Sequence, residues 1–132
     1  MSRSLIDKVV EDFYEAAKND FLIGYHFRHI DDFDVHIPKI QRFWYLSLLD
    51  LTTKEKKKVI ALGVPKNIIN SHQYLKVKPG EIGRWVTLFK QILDQQRVGK
   101  LGPEAQLIKR WHLEVLRYEN LFLKSKVLFP SD

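Results

Sequence analysis

Apolar positions recur at steps of three and four along most of this chain, which predicts a succession of amphipathic helices. Leu5, Ile6, Val9, Val10, Phe13, Tyr14 and Ala17 mark one face of a first helix over residues 4–18. The stretch NDFLIGYHFRHIDDFD, residues 19–34, is aromatic and turn-rich and holds no sustained period. A helix is expected over about 34–50, capped by Asp32 or Asp34, with His36, Ile40, Phe43, Trp44, Ser47 and Leu48 inward. Pro38 is then expected in or near its first turn, where a missing N–H costs little. Thr53 is read as the cap of a short helix through Leu62, stopped by Gly63. Pro65 opens a further helix to about Leu75, with Ile68, Ile69, His72 and Leu75 inward. Pro79-Gly80 breaks the chain, and the helical period resumes over 80–97 through Trp85, Leu88, Phe89, Ile92 and Leu93. VGKLGP reads as a loop, and Pro103 starts a last helix with Leu107, Ile108, Trp111, Val115, Leu116 and Leu123 inward. Alternation of period two is absent over any useful length, so the expected fold class is all-α.

Composition adds bounds to this pattern. The 132 residues suit a single domain, 1–132, large enough to bury a real core. With 45% apolar and 29% charged residues the composition is that of a soluble globular chain. No apolar run approaches the roughly 18–20 residues of a membrane span, so no membrane partner is expected. The first residues interleave apolar positions with Asp7, Lys8, Glu11 and Asp12, unlike a signal peptide, and a cytoplasmic location is expected. With no cysteine, a disulfide framework, a Cys-ligated zinc site and a thiol nucleophile are excluded. The net charge of +6 would attract nucleic acid, acidic lipid or a small anion. Its excess clusters only in part, in TKEKKK (53–58) and in the C-terminal third, and reads chiefly as solvated surface.

The candidate chemistry lies in the histidines at 26, 29, 36, 72 and 112. His26 and His29 form H-x-x-H beside Asp31 and Asp32, a set zinc could use, but the segment reads as a solvated, turn-forming loop. His112 beside Trp111 reads as packing or surface. There is no H-E-x-x-H, no G-x-S-x-G and no glycine-rich phosphate loop, and Ser47 and Ser71 lack a nucleophile signature. His36 and His72 stand apart, because each lies on an apolar helical face of its own helix. Singly, each is a core or boundary histidine. Together they flank an apolar slot suited to a large flat cofactor with an iron centre, for which imidazole is an axial ligand.

Four anchors carry a family resemblance: DFYEAA with Tyr14, LIGYHF ending at Phe27, HIPKIQRFW from His36 to Trp44, and SHQYLKVKPGEIGRWVTLF with His72 and Trp85. In order and spacing they resemble the truncated haemoglobins of the globin superfamily, most closely the third group, over about residues 4–95. The glycine pairs typical of the first two groups are missing. The resemblance implies a two-over-two helical fold and a haem b cofactor, iron protoporphyrin IX. It makes His72 the proximal iron ligand and Phe27 the phenylalanine packed on the porphyrin. Tyr14 and Trp85 become donors to a bound diatomic ligand such as O2, CO or NO, and His36 takes the distal histidine position. Phe43 and Trp44 would pack at the pocket wall. For Tyr14 and Trp85 the spacing alone is equally that of plain core, and for Phe27, Phe43 and Trp44 it favours core.

One departure is plain. Between Trp44 and His72 the chain is about ten residues longer than the family's pattern, and the excess maps to LTTKEKKKVIALGV, which predicts an extra short helix, basic outside, before the proximal-histidine helix. The implied function is binding of a diatomic gas, open to NO dioxygenase- or peroxidase-like chemistry with a reductase partner. A haem-free helical binding or sensor module, using the basic surface for nucleic acid or protein partners, is the competing expectation. Aromatic residues at core spacing, rather than interleaved with Lys and Arg, argue against nucleic acid.

Overall fold

The computed structural model describes residues 2–28, 33–65 and 78–124. These form α1 (Ser2–Lys18), α2 (Gly24–Arg28), α3 (Phe33–Leu48), α4 (Thr53–Leu62), α5 (Pro79–Arg97) and α6 (Pro103–Lys124). The fold class is all-α, with no strand among the described residues. The helix expected from Pro65 to Leu75, with His72 on it, falls almost wholly in 66–77, outside the described residues.

The three-and-four spacing does in space what it promised along the chain. On α1, Ile6, Val9, Val10, Phe13 and Ala17 are closed from solvent, and they meet Leu88, Phe89, Ile92 and Leu93 of α5 and Ile108 and Trp111 of α6 in one core. The long helices α5 and α6 pack on each other, and α1 packs on α2, α3 and α5. Polar ties run between the same helices. The Tyr45 hydroxyl donates to Asp7, Gln96 Nε2 donates to Asp12 at 3.0 Å, and Arg110 Nη1 donates to the Leu48 carbonyl at 3.1 Å.

Several details differ from expectation, each for a local reason. The cap of α4 is Thr52, one residue before Thr53. Its Oγ1 accepts the Glu55 N–H at 3.1 Å while Glu55 Oε1 accepts the Thr52 N–H at 3.2 Å, so two orphan donors are satisfied reciprocally. Gly63 does stop α4, at φ +110°, and its carbonyl accepts Arg42 Nε at 2.6 Å, which moors the helix end to α3. The basic outer side is as expected, with Lys54, Lys56, Lys57 and Lys58 exposed and Val59 buried. Pro38 lies beyond the first turn of α3, because the helix begins at Phe33. Pro79 is the first residue of α5 rather than a break before it. On α6, Leu116 and Leu123 face solvent at 37% and 49% exposure, whereas Phe122 is buried. The inward stripe runs Trp111, Val115, Tyr118, Phe122, so the four-residue step carries the face away from both leucines.

The segment read as a solvated, aperiodic loop is built closely onto α1. Asp20 Oδ2 accepts the N–H groups of Leu22 and Ile23 at 3.0 and 3.1 Å, an aspartate-capped turn that delivers α2. A side chain at Gly24 would meet the Lys18 carbonyl oxygen at 2.9 Å, so only glycine lets α2 begin this close to the end of α1.

Candidate functional site

α1, α2, α3, α5 and α6, with Pro65, line a partly open cavity of about 430 Å³, within the range of small-ligand sites. Of the seven residues singled out from the sequence, six line it: Tyr14, Phe27, His36, Phe43, Trp44 and Trp85. They come from four helices and from positions as far apart as 14 and 85. The seventh, His72, lies outside the described residues.

The walls are aromatic and interlocked. Phe27 meets Trp85 edge to face at 5.3 Å and 82°, and meets Tyr14 at 5.4 Å and 75°. Phe13 stacks parallel to Trp85 at 6.3 Å. Trp44 packs between Phe43 at 5.1 Å and Trp111 at 5.2 Å. Such contacts add to plain burial and hold ring orientations, so the cavity walls are set by the core itself.

Tyr14 Oη and His36 Nε2 are 3.0 Å apart, joining α1 to α3 across the cavity wall. Burial pushes the Tyr14 hydroxyl well above its ordinary range, so it stays a neutral phenol. Burial, and secondarily the Lys39 charge, hold the His36 imidazolium down, so the neutral ring is favoured. Either the phenol donates to a bare Nε2 or Nε2–H donates to the phenol oxygen. A neutral pair of this kind can offer one proton to a ligand without placing a net charge in an apolar space.

Two polar clusters, one on the cavity wall and one at the turn before α2, were not foreseen from the sequence. His26, expected in a solvated loop, is 7% exposed and lines the cavity, with Nε2 3.0 Å from Glu81 Oε2. Tyr25 donates to the same Oε2 at 2.5 Å, and Glu81 Oε1 accepts the Lys78 backbone N–H at 2.9 Å. Glu81 stands three residues past the cap position of a helix opened by Pro-Gly, but the cap itself is Lys78, so the Ser, Thr, Asp or Asn that signals a capping box in sequence is missing. The pairing of Glu81 with His26, 55 residues away, had no local signal. Asp20, with its side chain 4% exposed, accepts Arg84 Nε at 3.0 Å and Nη2 at 2.6 Å, fixing the turn before α2 to α5. Arg84 holds the Asp20 carboxyl below its ordinary value.

The metal reading of H-x-x-H gains nothing here. His26 is committed to Glu81, His29 with Asp31 and Asp32 lies outside the described residues, and no group of three His, Asp or Glu side chains gathers among the described residues. His112 lies away from the cavity and faces Asp94 at 3.2 Å, a boundary residue as expected. Among the described residues no helix is long and apolar enough to cross a membrane. No family model, no curated protein and no solved structure matches this chain.

Proposed function

We propose that the protein holds haem b in this cavity, in a truncated-globin-like two-over-two arrangement of its helices, and binds a diatomic gas (O2, CO or NO) at the iron. The observation that supports it most is convergence. Six residues chosen from sequence anchors for that role line one apolar cavity, together with a neutral Tyr14–His36 pair. The donor set fits such a group: flat aromatic walls for a porphyrin face, hydrogen-bonding tips inside, and Lys39 exposed at the rim as a partner for a carboxylate edge.

In this reading Phe27 and Trp85, locked edge to face, would hold the macrocycle, with Phe43 and Trp44 as pocket wall. His72 is the iron ligand by resemblance. Haem supplies an iron coordination position for the gas. Trp85, Tyr14 and His36 would supply hydrogen bonds to it, the Tyr14–His36 pair through the one proton it does not spend internally. NO dioxygenase- or peroxidase-like turnover, with its reductase, is an extension of the same site.

Titration with haemin followed by optical spectroscopy tests this directly. An intense Soret band is expected, lost or shifted in His72→Ala and kept in His112→Ala. A colourless protein, or a His72→Ala spectrum like that of wild type, defeats the reading. The exposed lysines of α4 favour a second, haem-free reading, in which a basic surface binds an anionic partner. It requires nucleic-acid affinity that falls steeply with salt.

A further inference from the structure

Helix α6 carries a second apolar stripe, open to solvent. Trp111, Val115 and Phe122 face the core, while on the opposite side Leu113, Leu116 and Leu123 are 63%, 37% and 49% exposed. With Asn120, also exposed, they follow one another at steps of three, four and three. That is the spacing of the a and d positions of a heptad, with Leu113 and Asn120 at a, and Leu116 and Leu123 at d. Single exposed leucines are ordinary, but three along one line of one helix form a seam. Beside the seam, the e positions carry Arg117 and Lys124 and the g positions carry His112 and Glu119.

We propose that this seam pairs with the same seam of a second copy, α6 alongside α6 and parallel to it, in a two-fold symmetric dimer. The orientation follows from the seam's own chemistry. In a parallel pair a meets a and d meets d, so leucine layers lie on leucine layers and Asn120 faces the second Asn120. Two facing amides can donate to and accept from each other. Each Glu119 then stands beside Lys124 of the other copy, because a g position approaches the e position of the next heptad. No ion pair holds either residue among the described residues. The other such pair, Arg117 with His112, has acidic neighbours on its own chain, Glu114 at 2.8 Å and Asp94 at 3.2 Å. An antiparallel pair would instead set the basic e row against itself and press Asn120 onto leucine.

The seam is short. It ends at Lys109, the d position before Leu113, where two like charges would meet. A free peptide of that length would first have to fold. Here α6 is already helical, held in the core by Trp111, Val115 and Phe122, so association carries no cost of forming the helix. Two heptads bury less than the roughly 800 Å² per partner of a standard interface, so a weak dimer is expected, with Kd on the order of 100 μM. The cavity lies on the other side of α6, where Val115, Tyr118 and Phe122 line it, and the half-buried Glu119 stands on the flank between the two. The dimer therefore does not depend on what the cavity holds.

Sedimentation equilibrium of the full chain from roughly 10 μM to 1 mM tests this. Reversible dimerisation is expected, weakened by about tenfold or more in Leu113→Glu and tightened by about tenfold in Lys109→Leu, which extends the seam by one layer. Leu121→Glu is expected to leave it unchanged, since Leu121 is 41% exposed but stands off the seam. The chain has no cysteine, so Asn120→Cys carries a single thiol. In the parallel pair two such thiols face each other, and diamide should link them as a disulfide much faster than it links Leu121→Cys. All four positions are exposed, and circular dichroism checks that each variant keeps its helices. A chain that stays monomeric to roughly 1 mM, association indifferent to Leu113→Glu, or equal cross-linking of the two thiol variants overturns the proposal.

Discussion

Replacing Asp20 by asparagine removes one charge from a carboxylate that uses both oxygens. Oδ1 accepts twice from Arg84 and Oδ2 accepts the Leu22 and Ile23 N–H groups. An amide has one acceptor and one donor end, so whichever way the new side chain turns, its NH2 faces two donors. Breaking a buried pair from one side costs about 3–5 kcal/mol. The Arg84 side chain is 30% exposed and can recover some hydration, which puts the expected loss near the lower end, about 3 kcal/mol. For a chain of this size that corresponds to a fall in Tm of roughly 10–15 °C. Urea unfolding followed by tryptophan fluorescence measures it, and a cycle with Arg84→Met isolates the coupling. The sign with pH is fixed. Arg84 first of all, then the turn N–H groups, depress the Asp20 carboxyl below 3.8, so its contribution is whole at neutral pH and is lost as pH falls through the folded value. The gap between wild type and Asp20→Asn should therefore narrow in acid. A loss under about 1 kcal/mol at pH 7, or a gap that stays constant into acid, refutes the reasoning.

Three further outcomes follow from single contacts. Thr52→Ala should cost about 1 kcal/mol in denaturant unfolding and speed amide exchange in the first turn of α4, since the capping box there is lost. Gly63→Ala places a Cβ at φ +110° and should cost about 1–2 kcal/mol; its nearest neighbours, Arg42 Nη2 and Lys39 Cε at 3.7 Å, are at ordinary contact distance, so the loss reads backbone strain and not a clash. Tyr14→Phe removes the hydroxyl from the His36 contact. About 1 kcal/mol of stability should go with it, and gas dissociation from the haem-loaded protein, timed by flash photolysis or ligand replacement, should quicken by about tenfold.

Much of the scaffold was legible because helices are written in local spacing. The period of Val9, Val10, Phe13 and Ala17 located α1, and Pro103 and Gly63 located the start of α6 and the end of α4, since each depends on a few neighbouring residues. The misplacements are of a different kind. Choosing between Thr52 and Thr53 as cap turns on a backbone angle, and the Thr52 ψ of 163° decides it. Leu116 and Leu123 are as apolar as their buried neighbours, and only the direction from which α5 and α3 approach α6 turns them outward.

His26 marks the division most sharply. Its sequence surroundings, a short aromatic run before two aspartates, say loop, and nothing local opposes that. Glu81 meets it from 55 residues away because Asp20 caps the turn, Gly24 permits the close start of α2, and Arg84 draws that turn onto α5. The sequence by itself determined an all-helical chain, where most of its helices lie, and which aromatic and histidine side chains were worth following. Only the tertiary structure decided that six of them share one cavity and that a buried carboxylate stands behind a seventh wall residue, His26. Helical period is a property of adjacent residues, whereas a cavity and its ionised groups belong to distant segments whose packing no local pattern encodes.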